Sequence, residues 1–279
     1  MTNAEKISSR PICVFDSGLG GLTVVADLAK AMPGEDIIYL GDSARVPYGI
    51  KSLETVRKFA LEDAAFLSRF NPKMLVVACN TASAAAYKTL VAASDIPVVD
   101  VIRPGARAAL AATEQAIGVV ATDATVRSNA YQQQIALADS ARTVLAVACP
   151  LLVPIVEEGR PDDDPIVAHV LCDYLRDLQR LRPGALILGC THYPLLSKAI
   201  AKLMGPGTKL ISSAGAAALE VQAKLNENSL QNSAKTGGKL ICYTTDNPDR
   251  FATLGQRFAK RALDDVQYVG TDELEALAN

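Results

Sequence analysis

Two cysteines occupy matching positions in two similar segments of the sequence. Residues 74–81 read Met-Leu-Val-Val-Ala-Cys-Asn-Thr, and residues 185–192 read Ala-Leu-Ile-Leu-Gly-Cys-Thr-His. In each segment an apolar run typical of a buried strand ends at a cysteine, Cys79 or Cys190, and a helical pattern follows. Ligands of open α/β sheets bind at the carboxyl ends of the strands. This weak repeat predicts that two α/β halves bring both thiols to one cleft.

Two matched thiols on opposite walls of a cleft suit one kind of chemistry, the inversion of a carbon centre. One thiolate removes the α-proton of an amino acid, and a thiol on the other side returns a proton to the opposite face. A free thiol titrates at about 8.5, and polar neighbours or a helix N-terminus lower that value. We therefore predict catalytic roles and thiolate character for Cys79 and Cys190.

An isolated cysteine in a strand is more often a small buried hydrophobe than a catalytic group. The repeat overrides that interpretation for Cys79 and Cys190 only. We interpret the other four cysteines as buried packing residues: Cys13, Cys149, Cys172 and Cys242.

The two histidines of the chain receive different interpretations. His192 comes two residues after Cys190, close enough to orient the thiol or to exchange a proton with it. His169 falls within a predicted helix, where a surface or packing role is expected. Only His192 is assigned to the site.

The turn after the first predicted strand reads Asp16-Ser17-Gly18-Leu19-Gly20-Gly21. A dinucleotide-binding fingerprint would place its third glycine at Thr23, and a carboxylate at Asp16 would repel a pyrophosphate. We interpret the turn as a strand-to-helix connection whose amides and Ser17 hydroxyl hold a substrate carboxylate. Asp16 would then meet an ammonium group or a thiol. A purely structural turn with a helix N-cap explains the same residues.

Apolar, β-branched runs alternate with alanine-rich helical segments along the chain, which predicts an α/β fold with mostly parallel sheets flanked by helices. Two similar domains would enclose the active site in the cleft between them, with a boundary near Ile102-Arg103-Pro104-Gly105. The predicted strands are 12–15, 36–40, 74–79, 98–101, 117–121, 144–148, 185–189, 209–211 and 240–243. Predicted helices include 52–70, 82–92, 104–114 and 163–181.

The composition excludes several classes of protein. A formal net charge of −2 lacks the basic excess of a nucleic-acid binder, and no apolar run is long enough to cross a membrane. The apolar stretch after Arg10 ends at Asp16, which is too short for a signal peptide. No pair of cysteines has CxxC or zinc-type spacing. We expect a cytoplasmic enzyme with reduced thiols, no metal and no nucleic-acid or membrane partner.

Taken together, these motifs resemble the glutamate racemases, a family of the aspartate/glutamate racemase superfamily, over nearly the whole chain. The matching segments are Val14-Phe15-Asp16-Ser17-Gly18-Leu19-Gly20-Gly21-Leu22, Gly41-Asp42-Ser43-Ala44-Arg45-Val46-Pro47-Tyr48-Gly49, Ala78-Cys79-Asn80-Thr81-Ala82-Ser83-Ala84, Thr125-Val126 with Ser128 and Tyr131, Cys149-Pro150-Leu151-Leu152-Val153-Pro154 with Glu157, and Gly189-Cys190-Thr191-His192-Tyr193-Pro194-Leu195-Leu196.

The resemblance implies an isomerase that makes D-glutamate for peptidoglycan, and hence for cell shape, by a two-base mechanism without pyridoxal phosphate or metal. Cys79 and Cys190 would exchange the protons, with Asp16 assisting Cys79, and His192 and Glu157 assisting Cys190. The substrate would be bound by Asp16, Ser17, Tyr48, Gly49, Asn80, Thr81, Thr191 and His192.

The resemblance also implies a discontinuous first domain, residues 1–102 with 212–279, around a second domain of residues 103–211. We expect a homodimer whose only other partner is the small-molecule substrate, glutamate.

Three alternatives stay open. The first alternative is a racemase of the same superfamily that acts on aspartate or another amino acid. The second is a non-catalytic two-lobed protein that closes on an amino acid. A pyridoxal-dependent racemase is the third, although no lysine stands at a matching strand end.

Overall fold

The computed structural model describes residues 7–278, so residues 1–6 and 279 of the predicted first domain lie outside the described part. Ten strands are present in residues 7–278: β1 (Ile12–Asp16), β2 (Ile37–Gly41), β3 (Met74–Val77), β4 (Val98–Asp100), β5 (Ile117–Ala121), β6 (Val144–Ala148), β7 (Ala185–Gly189), β8 (Lys209–Ser212), β9 (Leu240–Thr244) and β10 (Val266–Tyr268).

Thirteen α-helices connect and cover the strands in the same range: α1 (Leu22–Ala31), α2 (Leu53–Ser68), α3 (Asn80–Ala92), α4 (Ile102–Ala112), α5 (Asp123–Arg127), α6 (Ala130–Ala138), α7 (Leu152–Glu157), α8 (Pro165–Tyr174), α9 (Arg176–Leu181), α10 (Ser197–Met204), α11 (Ser213–Glu227), α12 (Pro248–Ala259) and α13 (Thr271–Ala278). None of the helices described is long and apolar enough to span a membrane.

The strands form two separate parallel sheets. The first sheet has six strands in the order β10-β9-β2-β1-β3-β4, and the second has four in the order β6-β5-β7-β8. Every strand pair is parallel. The predicted fold class, parallel sheets flanked by helices, is confirmed. The two C-terminal strands, β9 and β10, return to the first sheet.

The central strands are buried on both faces because helices cover each sheet on two sides. In β1 the side chains alternate, so Ile12 and Val14 pack with Leu22 of α1, while Phe15 packs with Val56 of α2. The cluster that contains Val14 also contains Leu188 of the second sheet. A continuous apolar core therefore joins the two sheets.

The predicted helix 104–114 corresponds to α4, which begins two residues earlier and holds Pro104 in its first turn, where the missing N–H is tolerated. Two other elements differ from the prediction. The predicted helix 163–181 is two helices that meet at Leu175. Strand β10 was not predicted. His169 is exposed on α8, as a surface residue would be.

Candidate active site

A cavity of about 320 Å³ lies where the carboxyl ends of the two sheets meet. The residues that line it include those that follow β1 and β3 in the first sheet and those that follow β5 and β7 in the second. Ten of the eleven residues predicted for the site line it: Ser17, Tyr48, Gly49, Cys79, Asn80, Thr81, Glu157, Cys190, Thr191 and His192. The eleventh, Asp16, ends β1 and is 1% exposed. The structure therefore gathers residues that are far apart in the sequence around one space.

Cys79 sits at the junction of β3 and α3. Its Sγ accepts a hydrogen bond from the backbone N–H of Ala82 at 3.4 Å, which makes the thiol the N-cap of α3. The thiol also donates to the Ser17 hydroxyl at 3.7 Å. Burial and the charge of Asp16 nevertheless raise the pKa of Cys79 to about 12. The prediction that this strand-end thiol gains thiolate character is wrong for Cys79, because burial outweighs the helix N-terminus.

Asp16 is a buried carboxylate behind the cavity wall. Burial raises its pKa, although the charge of His192 and the N–H groups of Gly21 and Gly18 oppose that effect. Gly18 N donates to Asp16 Oδ2 at 3.1 Å. Among the described residues, Asp16 Oδ1 and Asn80 Oδ1 are the two buried side-chain oxygens that lack a hydrogen-bond partner. Both are acceptors in the immediate neighbourhood of Cys79.

Cys190 faces a histidine and a carboxylate. Its Sγ lies 3.9 Å from His192 Nδ1, and His192 Nε2 lies 3.0 Å from Glu157 Oε1. Burial alone would lower the pKa of His192, but its hydrogen bonds to Cys190 and Glu157 and their negative charges raise it to about 10. His192 therefore places a positively charged group beside the Cys190 Sγ. The two thiols therefore stand in opposite electrostatic surroundings.

The turn after β1 contacts the Cys190 loop directly. Thr23, in the first turn of α1, donates from its hydroxyl to the carbonyl of Thr191 at 3.1 Å. A Cβ added to Gly20 would lie 2.1 Å from Thr191 Oγ1 and 2.6 Å from His192 Nδ1. Only glycine allows the backbone of the first sheet to approach His192 so closely.

Tyr48 and Gly49 reach the cavity from a short 3₁₀ turn, Tyr48–Ile50. The Tyr48 hydroxyl is held by Asp42 and, at 3.3 Å, by Asp63, so its ring rather than its hydroxyl is free to face the cavity. A Cβ on Gly49 would lie 2.9 Å from the Cβ of Thr122 in the second half. This turn therefore closes against the opposite side of the cavity.

The acidic residues behind Tyr48 form an ion-pair cluster with Arg45. The guanidinium contacts Asp42 at 2.6 Å, Asp63 at 3.1 Å, and Glu62. Burial and the charge of Asp42 raise the pKa of Asp63. These carboxylates bond to Arg45 and Tyr48 and support the turn, and none of the three lines the cavity.

Thr81, at the start of α3, contacts the second half through hydroxyls. Its Oγ1 lies 2.9 Å from Thr122 Oγ1 and 3.3 Å from Thr125 Oγ1. Thr122 caps α5 and lines the cavity, but it was not predicted for the site. Its position directly after β5 is the signal that would have identified it.

Eight further cavity residues were also not predicted for the site. They are mostly apolar and lie in turns or in the first turns of α5 and α7: Gly18, Val46, Pro47, Ile50, Asp123, Pro150, Val153 and Pro154. Several belong to the motifs that carry the family resemblance, whereas Ile50 and Asp123 gave no signal in the sequence.

The remaining cysteines divide differently from the prediction. Cys13, Cys149 and Cys242 are buried, as predicted, but Cys172 is exposed on α8. Its position on the solvent-facing side of a surface helix, rather than in a sheet, explains the difference. Burial raises the pKa of Cys149 to about 12, with a further contribution from Cys190. Among residues 7–278, no group of three or more His, Cys, Asp or Glu side chains is arranged to hold a metal ion.

Comparison with known proteins places this geometry in context. Residues 20–221 match the Asp/Glu/Hydantoin racemase family. A glutamate racemase of Geobacter metallireducens is 44% identical over 265 residues, which cover 94% of this chain and 97% of the relative.

Two solved structures have the same fold. A glutamate racemase isoform from Bacillus anthracis superposes with a TM-score of 0.90 at 39% identity, covering 94% of this chain and 98% of the other. The enzyme from Francisella tularensis, solved in complex with D-glutamate, has a TM-score of 0.88 at 41% identity, covering 95% of this chain and 99% of the other.

Proposed function

The chain belongs to the Asp/Glu/Hydantoin racemase family, and we propose that it interconverts L-glutamate and D-glutamate by a two-base mechanism without a cofactor. The observation that carries the proposal is the shared cavity, into which the first sheet contributes Cys79 and the second contributes Cys190. Glutamate is favoured over other amino acids because the similar proteins are glutamate racemases, one of them solved with D-glutamate.

The unpaired oxygens beside Cys79 would bind the substrate ammonium group. Asp16 Oδ1 and Asn80 Oδ1 are buried acceptors that lack a partner among the described residues, and an ammonium group supplies three N–H donors. A buried acceptor without a partner costs about 1–3 kcal/mol, and the bound substrate removes that cost. The Ser17 hydroxyl and the N-terminal amides of α3 at Thr81 would hold a carboxylate.

Proton transfer would begin at either thiol, depending on the enantiomer bound. A thiolate on Cys190, stabilised by the His192 imidazolium, takes the α-proton, and the electron pair moves onto the substrate carboxylate. The Cys79 thiol then donates its proton to the opposite face of Cα and becomes a thiolate. The reverse reaction exchanges the roles, so each thiol is the acid in one direction and the base in the other.

The test is racemisation in deuterated water. The purified enzyme, without added cofactor and in the presence of EDTA, is supplied with L-glutamate or L-aspartate, and the reaction is followed by circular dichroism and NMR. L-glutamate should racemise, and the early D-product should carry deuterium because the donating thiol has exchanged with solvent.

Four results would contradict the proposal. Turnover of aspartate alone would indicate the alternative substrate, and loss of activity with EDTA that a metal restores would reveal metal chemistry. Glutamate binding without turnover would favour the non-catalytic two-lobed protein. Original protium in the early product would indicate that a single group carries the proton round.

The remaining parts of the proposal concern the organisation and role of the protein. We propose two domains, residues 1–102 with 212–279 and residues 103–211. The return of β9 and β10 to the first sheet supports this division. A homodimer, a cytoplasmic location and a role in supplying D-glutamate for peptidoglycan and cell shape follow from the family resemblance.

A further inference from the structure

A chain of buried hydrogen bonds connects the two catalytic strand ends behind the cavity. Asn80 Nδ2 lies 2.8 Å from the Tyr131 hydroxyl, which lies 2.9 Å from Ser213 Oγ, and Ser213 Oγ lies 2.9 Å from the carbonyl of Leu188. Tyr131 is 1% exposed and Ser213 is 4% exposed. Asn80 follows Cys79 directly, and Leu188 precedes Cys190 by two residues.

The direction of every bond in this chain is fixed by its last acceptor. The carbonyl of Leu188 can only accept, so Ser213 must donate its single hydroxyl proton to it. Ser213 Oγ must then accept from the Tyr131 hydroxyl, which in turn must accept from the Asn80 amide nitrogen. Burial raises the pKa of Tyr131, so its hydroxyl keeps the proton that it donates.

This direction decides which atom of the Asn80 amide is left for the cavity. With Nδ2 committed to Tyr131, Oδ1 points the other way, and it is one of the two buried oxygens without a partner in residues 7–278. A reversed amide would instead present two N–H groups to the position of an ammonium ion, where donor faces donor.

We propose that Tyr131 and Ser213 are positioning residues that fix the Asn80 amide so that its oxygen accepts a hydrogen bond from the substrate ammonium group. This inference rests on the proposed function, because it assumes that the amino acid binds beside Cys79. Neither Tyr131 nor Ser213 lines the cavity, so both would reach the substrate ammonium group through Asn80.

Two substitutions break the chain at different links. Tyr131→Phe removes the acceptor of Asn80 Nδ2 and leaves the amide free to turn. Ser213→Ala removes the acceptor of the Tyr131 proton, so the hydroxyl can donate to Asn80 Oδ1 instead and favour the reversed amide. Ser213→Ala should therefore weaken ammonium binding at least as much as Tyr131→Phe does.

The experiment compares two ligands of equal length that differ in the amino group. Binding of D-glutamate and of glutarate, which lacks the ammonium, is measured by calorimetry for the wild-type enzyme and both variants. A hydrogen bond to a charged group corresponds to roughly 10- to 100-fold in affinity. Both variants should lose about that factor for D-glutamate while keeping glutarate affinity within about twofold. In turnover assays the KM for glutamate should rise more than kcat falls.

Tyr193→Phe is the matched control, because it removes another fully buried tyrosine hydroxyl, one that donates to the Cys149 carbonyl at 2.8 Å. It should leave the ratio of glutamate to glutarate affinity unchanged, and thermal unfolding shows whether each variant folds. Equal losses for the two ligands, or unchanged glutamate binding in both folded variants, would overturn the inference. Failure of the wild-type enzyme to act on glutamate would instead overturn the proposed function.

Discussion

Substitution of Glu157 by Gln tests the electrostatic partnership on the Cys190 side. Glu157 Oε1 lies 3.0 Å from His192 Nε2, and its side chain is 39% exposed. A hydrogen bond to a charged group contributes about 1.5–3 kcal/mol, and solvent screening at this exposure reduces it to the order of 1 kcal/mol. Since about 1.4 kcal/mol corresponds to one pH unit, Glu157→Gln should lower the pKa of His192 from about 10 to about 9.

Two consequences follow from the sign of this change. At pH 7 the imidazolium persists in the variant, so activity should fall by less than about tenfold, while the alkaline limb of the kcat/KM profile moves about one pH unit lower. The folded-state pKa of His192 lies above its ordinary value of 6.5. Its contribution to the free energy of unfolding is therefore complete below pH 6.5 and is lost as the pH rises towards 10.

NMR of histidine-labelled protein measures the pKa directly, because the chain contains only His169 and His192. A His192→Gln variant assigns the signals. Glu158→Gln is the matched control, since it removes the neighbouring exposed carboxylate and should leave the His192 titration in place. A wild-type His192 that titrates near 6.5, or a titration that Glu157→Gln does not move, would refute the reasoning.

Further substitutions test the thiols and the glycine turn. Cys79→Ala and Cys190→Ala should each reduce racemisation in both directions by at least ~10²–10⁴-fold. Each variant should still exchange the α-proton with deuterated water, but for one enantiomer only. Exchange of both enantiomers by either variant would contradict the assignment. Brief alkylation followed by peptide mapping should label the exposed Cys172 first and Cys79 slowly, because the pKa of Cys79 is raised to about 12. Rapid labelling of Cys79 in the free enzyme would show that burial does not control the reactivity of this thiol. Gly20→Ala should lower kcat and destabilise the fold by about 1–3 kcal/mol, since the added methyl group overlaps Thr191 and His192. Unchanged kcat and melting temperature would show that the loop of Thr191 and His192 moves to accommodate the methyl group without cost.

The elements that carry the site were predictable because each depends on a local pattern. Parallel strands appear as continuous apolar runs, so the observed β5, β6 and β7 have the predicted bounds. Strand β10 escaped prediction because it is a short edge strand in which Gln267 and Tyr268 are exposed, and such a segment lacks the apolar run of a central strand.

The contacts that define the site chemistry join residues that are distant in sequence. Thr23 bonds to Thr191, and Asn80 bonds to Tyr131, and no periodicity in a single sequence indicates which hydroxyl meets which partner. Burial is equally invisible to motif spacing. It is the cause of the raised pKa of Cys79, which polar neighbours in the sequence had suggested would be lowered.

The repeat builds two similar strand ends, but the residues around them make the two thiols unlike. Cys79 lies beside the buried carboxylate of Asp16, and this charge favours the neutral thiol. Cys190 lies beside His192, whose pKa is raised to about 10. Under the proposed mechanism one thiol must hold a proton while the other lacks it, and two identical environments would leave that choice undetermined. The difference between Asp16 and His192 therefore distinguishes the two thiols that the proposed mechanism uses as acid and base.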